Sequence, residues 1–90
     1  MSVQRTVTIC NERGLHARAS AKFVKLATTF DAKVVVCRDD QCVEAESIMG
    51  LMMLAAGPGS TVELKADGPQ AEEAVEALCA LVSCRFEEER

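Results

Sequence analysis

The 90-residue sequence is poor in aromatic residues and in histidine, and each scarcity argues against a class of function. With three Phe, no Trp and no Tyr, the core must be aliphatic, and nucleic-acid bases would lack rings to stack on. The net charge of −4 also argues against nucleic acid as a partner. One histidine supplies a zinc site poorly, so neither a metal nor a cofactor is expected. Because no apolar run approaches membrane-spanning length, no membrane insertion is expected.

The cysteines are odd in number and none of them forms a CxxC pair. They are Cys10, Cys37, Cys42, Cys79 and Cys84. Each stands where a small apolar or strand residue would fit, which favours structural thiols in a reducing compartment over a disulfide or redox role. The first residues, 1–5, contain no apolar signal core. We therefore expect a cytoplasmic protein with free thiols.

Hydrophobic periodicity predicts seven elements in the order β-α-β-β-α-β-α within one domain, residues 1–90. Strands are predicted at 3–10, 33–38, 41–46 and 60–66, with Asp39-Asp40 turning the middle pair into a hairpin. Helices are predicted from 17 to about 30, from 48 to 55 or 56, and from Pro69 at the first helical position. One-sided strands favour an α+β fold, an open-faced sandwich whose four-stranded antiparallel sheet carries three helices on one face. The tail from Phe86 onward is expected to fray.

Two of the predicted helices have an unusual outer face. In the first, a basic stripe runs through Arg18, Lys22, Lys25 and Thr29; it is either an ordinary solvated face or a docking surface for an acidic partner. The second follows Ser47, a candidate N-cap, and contains no charged residue. If Leu51, Leu54 and Ala55 face inward, the partly exposed residues are Ile48, Met49, Met52 and Met53. These side chains form either a contact patch or part of the core.

The segment from Gly14 to Ser20 contains the one histidine, His16, where the first helix is predicted to begin. Imidazole nitrogens are nucleophiles, and the first turn of a helix favours a bound anion. Arg18, two residues later, offers a planar set of donors suited to phosphate. Two interpretations remain open at this point. His16 carries or meets a phosphoryl group, or it is an ordinary loop histidine in front of a helix.

Two motifs together resemble the HPr family, the phosphocarriers of the bacterial phosphoenolpyruvate-dependent phosphotransferase system. The first is Gly14-Leu15-His16-Ala17-Arg18, and the second is Ser47-Ile48-Met49-Gly50-Leu51-Met52. The similarity extends from Thr6 to Val82 in the same element order. The second half of the chain resembles the nitrogen-related branch, whereas the Ser-Ile-Met-Gly segment resembles carriers that a dedicated kinase phosphorylates on serine.

The resemblance implies a role for each motif. His16 would accept a phosphoryl group on Nδ1 from phosphorylated Enzyme I and pass it to a histidine of an Enzyme IIA-type protein. Arg18, with the amides of Ala17 and Arg18, would stabilise the phosphate. Ser47 would be a regulatory site for a serine kinase or phosphorylase. The docking surface would comprise Ala17, Lys22, Lys25, Ile48, Met49 and Met52. Such a protein is a monomeric carrier, not an enzyme, because it is itself the phosphorylated substrate of each step.

One departure and two alternative functions accompany this resemblance. The family usually has Pro-Ala after the arginine, whereas Ala19-Ser20 stand here, which is expected to loosen the first helical turn and to leave Ser20 solvated. The first alternative is a regulatory binding protein that acts through Ser47 and the methionines. The second is a small-molecule-binding module that shares only the topology. An intact pair of His16 and Arg18 favours the carrier.

Overall fold

The computed structural model describes residues 2–54 and 56–87. The elements follow the predicted order: β1 (Ser2–Thr8), α1 (Ala17–Ala27), β2 (Lys33–Arg38), β3 (Gln41–Glu44), α2 (Ile48–Met53), β4 (Thr61–Asp67) and α3 (Ala71–Ser83). A single 3-10 turn, Arg85–Glu87, comes after α3 and was not predicted. The α+β class and the β-α-β-β-α-β-α order are thus confirmed.

The four strands form one antiparallel sheet in the order β1-β4-β2-β3. In the central strand β4, Val62, Leu64 and Ala66 are buried, as the alternating pattern predicts, because one face of the sheet is covered by the helices. In β1 the alternation sets Arg5 on the same side as Val3, Val7 and Ile9, which predicts that it faces inward. Arg5 is instead exposed. Because β1 lies at an edge of the sheet, a long charged side chain there reaches water.

The core between sheet and helices is aliphatic apart from two phenylalanines. Phe23 of α1 is 2% exposed, and Phe86 of the 3-10 turn is 0% exposed. The expectation that the chain frays from Phe86 onward is therefore wrong for Phe86, because its ring packs into the core; residues 88–90 lie outside the described residues. Helical spacing predicts an apolar stripe on α3 that comprises Ala71, Ala74, Val75, Leu78, Leu81 and Val82. This stripe is buried except for Leu81, which is only partly buried.

Threonine hydroxyls end α1 at Ala27, three residues earlier than predicted. The hydroxyl of Thr28 donates to the Lys25 carbonyl at 3.0 Å, and that of Thr29 donates to the Leu26 carbonyl at 2.7 Å. These bonds satisfy carbonyls that a continuing helix would have paired with its own amides. Hydrophobic spacing contains no information on hydrogen bonds from side chains to the last carbonyls, so the helix predicted from it is too long.

The bounds of the other two helices also differ from the prediction. α2 ends at Met53, and Arg38 Nη1 donates to the carbonyl of its C-cap, Leu54, at 2.8 Å. This guanidinium from β2 satisfies a helix-end carbonyl, a long-range contact that no local pattern contains. α3 begins at Ala71 with Gln70 as N-cap, so Pro69 precedes the helix and is not its first residue.

Two of the five cysteines are joined by a disulfide between Cys37 and Cys42, so the expectation of free thiols throughout is wrong for this pair. The two residues lie directly opposite each other in the β2–β3 register, which the Asp39-Asp40 turn fixes. Cross-strand partners have their side chains on the same face and close together. The buried Val36 faces the helices, so Cys37 and its bridge lie on the uncovered face of the sheet. Cys10, Cys79 and Cys84 remain free thiols.

Reducing this disulfide is expected to lower the free energy of unfolding by about 2 kcal/mol, because cross-linking a loop this short removes a modest amount of chain entropy from the unfolded state. The fold itself should persist, since the bridge lies outside the hydrophobic core. Urea unfolding with and without a dithiol reductant measures the difference. A Cys37→Ala/Cys42→Ala protein is the control, because reductant should leave its stability unchanged. Equal stability of the wild-type protein in both conditions would contradict the expectation.

Candidate functional site

His16 forms the N-cap of α1, and its side chain faces the start of that helix. Its Nδ1 atom accepts a hydrogen bond from the backbone N–H of Arg18 at 3.3 Å. An accepting ring nitrogen carries the lone pair, so in the neutral imidazole that makes this bond the proton belongs on Nε2. The nucleophilic atom of the ring is therefore the one directed at the helix N-terminus.

The first turn of α1 provides the electrostatic environment of His16. The first intrahelical bond runs from the Ser20 amide to the His16 carbonyl at 2.8 Å. The amides of Ala17, Arg18 and Ala19 precede it and point toward the positive end of the helix dipole. Ala17 and Arg18 are exposed, so the side of the helix start where an anion would bind is open to solvent.

Ala19 and Ser20, the departure from the family pattern, are both fully buried in regular helix. The helix begins two residues before Ala19, so alanine in place of proline does not delay the helix start. Ser20 is 0% exposed, and its hydroxyl donates to the Leu15 carbonyl at 3.3 Å. The expectation that Ser20 is solvated is therefore wrong, because this face of the first turn packs against the loop that precedes it.

A close backbone contact holds the loop before His16 against the segment that follows α2. The Leu15 amide donates to the Ala56 carbonyl at 3.0 Å, and Gly14 adopts a φ of +64°. A Cβ atom on Gly14 would lie 2.3 Å from the Ala56 carbonyl oxygen and 2.7 Å from Gly57 Cα. Only glycine combines this positive φ with so close an approach. The glycine at position 14 thus allows the loop before His16 to pack against the segment that follows α2.

The two lysines of the predicted docking surface lie on the flank of α1 that faces α3. They line a groove of about 670 Å³ whose other walls are formed by Leu26, Thr29, Ala77, Ala80, Leu81 and Cys84. Lys22 Nζ donates to the Phe86 carbonyl at 2.7 Å, which fastens the C-terminal turn to α1. The predicted docking surface therefore comprises two regions, the lysine flank of α1 and the apolar residues of α2.

The exposed apolar residues of α2 form what we call the Met-rich patch. In the described part of the chain they are the large hydrophobic side chains with the greatest exposure: Ile48 at 39%, Met49 at 71%, Met52 at 41% and Met53 at 72%. Leu51 and Leu54 are buried, as predicted; Ala55, also predicted inward, lies outside the described residues. Core packing therefore does not explain these side chains, which form an exposed apolar surface.

Ser47 is the N-cap of α2, as the sequence predicts. Its Oγ accepts a hydrogen bond from the Gly50 amide at 2.9 Å, and its side chain is half-buried. The residue next along the chain, Ile48, belongs to the Met-rich patch. A charge placed on Ser47 would therefore border the apolar surface directly.

The free cysteines lie on α3 or bond to its last residues. Cys10 Sγ donates to the Val82 carbonyl at 3.2 Å, and Cys84 Sγ donates to the Leu81 carbonyl at 3.2 Å. Burial raises the pKa of the Cys79 thiol, an effect that Arg5 opposes and Glu76 reinforces. Within residues 2–54 and 56–87, no three His, Cys, Asp or Glu side chains are grouped to hold a metal ion. None of the helices described is both long and apolar enough to cross a bilayer.

Known proteins share both the sequence and the architecture. The family model described as "PTS HPr component phosphorylation site" matches residues 3–83. The phosphocarrier protein HPr of Cupriavidus necator is 56% identical over 86 residues, 96% of this chain and 97% of that protein. The phosphocarrier protein NPr of Escherichia coli K12 is 43% identical over 91 residues, 99% of this chain and 100% of that protein. Crystalline HPr-C-His from Thermoanaerobacter tengcongensis superimposes with a TM-score of 0.93 at 42% identity, covering 98% and 99% of the two chains.

Proposed function

Since the chain belongs to the HPr family of phosphocarrier proteins, we propose that His16 Nδ1 accepts a phosphoryl group from phosphorylated Enzyme I and passes it to a histidine of an Enzyme IIA-type protein. The observation that carries this proposal is the hydrogen bond from the Arg18 amide to His16 Nδ1, 3.3 Å long. We take Nδ1 as the nucleophile because this bond holds its lone pair toward the helix start. A phosphoryl group bonded there would take over the amide donors of the first turn.

The chemistry asked of this site is transfer without hydrolysis. In the first transfer, the bond between phosphorus and the donor nitrogen breaks as a bond to His16 Nδ1 forms. In the second transfer, the bond to His16 Nδ1 breaks as a bond to the acceptor histidine forms. Catalysis of such a transfer consists of positioning and neutralisation of charge. Arg18 is exposed and adjacent, so its guanidinium can pair with the phosphate without enclosing it. Moderate stabilisation of this kind retains the transfer potential of the phosphoramidate, whereas a deep cage would trap the group.

The docking surface in this proposal combines Ala17 with the Met-rich patch and the lysine flank of α1. The methionine side chains are flexible and polarisable, so one surface can adapt to two different partners in succession. Lys22 and Lys25 add positive charge to a protein whose net charge is −4, which favours the approach of acidic partner surfaces. In this proposal the carrier acts as a monomeric single domain in the cytoplasm. Enzyme I and the acceptor use the same surface in turn.

The experiment that tests the carrier function supplies phosphoenolpyruvate and purified Enzyme I to the protein. The expected product has the added mass of one phosphoryl group, is lost in acid and maps to the peptide that contains His16. Addition of an Enzyme IIA-type protein should then discharge it. Absence of an acid-labile adduct, or an adduct on another residue, would overturn the proposal. Retention of the group in the presence of every Enzyme IIA-type protein of the host would overturn its second half.

We propose further that phosphorylation of Ser47 by a serine kinase, reversed by a phosphorylase, weakens docking. The physical reason is that a phosphate beside the Met-rich patch would have to be desolvated when a partner covers that patch. We expect Ser47→Asp to raise the KM for phosphorylation by Enzyme I about tenfold, which corresponds to about 1.4 kcal/mol of binding free energy.

The matched control for this prediction is Ser47→Asn, because asparagine caps a helix as well as aspartate does but carries no charge. Steady-state kinetics with Enzyme I should give Ser47→Asn a KM within about twofold of the wild-type value. Equal KM values for the two variants would show that charge at Ser47 does not govern docking.

A further inference from the structure

The described part of the chain contains two buried polar side chains, and both bind the loop that leads to His16. Asn11 and Ser20 are each 0% exposed. Asn11 Nδ2 donates to the Gly14 carbonyl at 2.9 Å, and Ser20 Oγ donates to the Leu15 carbonyl at 3.3 Å. The two bonds thus hold the carbonyls of the two residues immediately before His16.

We propose that Asn11 and Ser20 are positioning residues for phosphoryl transfer, which fix the backbone before His16 and with it the direction of the imidazole. This inference rests on the proposed function of His16 as phosphate carrier. In this proposal both side chains act through the peptide units of Gly14 and Leu15.

Asn11 holds Gly14 through both of its backbone groups. Its side chain donates to the Gly14 carbonyl, while its own carbonyl accepts from the Gly14 amide at 3.2 Å. The Gly14 carbonyl also accepts from the His16 amide at 3.0 Å. One carbonyl oxygen therefore receives both the asparagine amide and the backbone of His16. A change in Asn11 alters the acceptor on which the His16 amide depends.

Ser20 connects the same loop to the first turn of α1. Its amide donates to the His16 carbonyl at 2.8 Å, and its hydroxyl donates to the Leu15 carbonyl. A serine inside a helix is less favourable than alanine, and its buried hydroxyl gains only a modest net free energy from one hydrogen bond. The contribution to stability therefore does not explain a hydroxyl at this position, whereas a role in orienting the His16 side chain does.

The geometry of His16 is sensitive to this support. The Nδ1 contact with the Arg18 amide is already long, at 3.3 Å, so a small rotation of the His16 backbone would break it. Transfer between two histidines needs the donor, the phosphorus and the acceptor nearly in line, and a misplacement of about 1 Å can cost about 100-fold in rate. Loosening of one of the two supports should therefore lower the transfer rate more than it lowers stability.

The test compares Ser20→Ala with Thr28→Ala in the phosphorylation of the full chain by Enzyme I and phosphoenolpyruvate. Both variants remove a hydroxyl that donates to a backbone carbonyl near α1, one at the His16 end and one at the far end. For Ser20→Ala we expect kcat to fall about tenfold with KM within about twofold, because orientation and not docking is lost. Thr28→Ala should leave both constants unchanged. The ³¹P chemical shift of the phosphohistidine should change in Ser20→Ala only.

Asn11→Leu provides the second variant, because leucine has nearly the same shape as asparagine but has no donor for the Gly14 carbonyl. If it folds, its kcat should fall at least as far as that of Ser20→Ala. Circular dichroism gives the folded fraction of each variant. A fall in kcat that only matches the unfolded fraction, or equal kcat values for Ser20→Ala and the wild-type protein, would overturn this inference alone. A wild-type protein that accepts no phosphoryl group would overturn the proposed function and this inference with it.

Discussion

Replacing His16 with alanine is expected to abolish phosphorylation of the protein by Enzyme I altogether. No other histidine is present to take the group, and the arginine and amides around the site bind phosphate but cannot accept it covalently. Intact mass measured at alkaline pH after incubation with phosphoenolpyruvate and Enzyme I should show the unmodified protein only. A residual acid-labile adduct in the variant would contradict the assignment of His16.

The control for this variant must separate the nucleophile from the helix cap. Alanine removes the acceptor of the Arg18 amide, a bond of 3.3 Å whose loss should cost no more than about 1 kcal/mol of stability. His16→Asn keeps a side-chain acceptor at the N-cap but offers no nucleophilic ring nitrogen. Both variants should remain folded and both should be inactive. An active His16→Asn protein would mean that the phosphoryl group resides elsewhere.

Replacing Gly14 with alanine is expected to destabilise the protein by about 3–5 kcal/mol, a large share of the stability of a small domain. Two effects add. The φ of +64° is unfavourable for any residue with a Cβ, and that Cβ would lie 2.3 Å from the Ala56 carbonyl oxygen. Because the obstacle is backbone, the loop must move away, which breaks the hydrogen bond from the Leu15 amide to Ala56. Urea unfolding followed by circular dichroism measures the loss.

Two other glycines provide matched controls for Gly14→Ala. Gly59 has a φ of +87°, but a Cβ added there would meet nothing within 4 Å, so Gly59→Ala should cost only the conformational penalty of about 1–2 kcal/mol. Gly57 has neither a positive φ nor a close neighbour, so Gly57→Ala should be nearly neutral. If Gly14→Ala costs no more than Gly59→Ala, the close approach of the two backbones does not contribute to stability.

The Gly14→Ala substitution is also expected to affect activity. Any folded Gly14→Ala protein should transfer phosphate more slowly than its folded fraction explains, because displacement of the loop displaces His16. This outcome would agree with the roles inferred for Asn11 and Ser20. Asn11 and Ser20 bond to the carbonyls of Gly14 and Leu15. Gly14 allows the same loop to approach the Ala56 backbone closely.

The elements could be predicted from the sequence because their signals are local. A continuous β-prone run predicts β2 at 33–38, which is where the structure has it. The alternation of β4 correctly predicts Val62, Leu64 and Ala66 in the core. The ends of α1 and α2 could not be predicted, because hydroxyls of two threonines and the guanidinium of Arg38 compete for the last carbonyls. The disulfide was missed although the predicted hairpin already placed Cys37 opposite Cys42. The two-residue turn at Asp39-Asp40 is therefore enough to indicate that these two cysteines are neighbours across the hairpin.

The sequence by itself determined the element order, the glycine at the turn before His16, the histidine at a helix start and the apolar helix after Ser47. These features depend on periodicity, backbone freedom and capping, which act over a few residues. Tertiary structure alone decided the strand order β1-β4-β2-β3, the burial of Phe86 and the hydrogen bonds of Asn11 and Ser20 to the histidine loop. The reason is that burial and hydrogen-bond partners depend on which segments of the chain meet in space. For Ser20 this decided whether a serine in a predicted helix faces water or donates to the loop before His16.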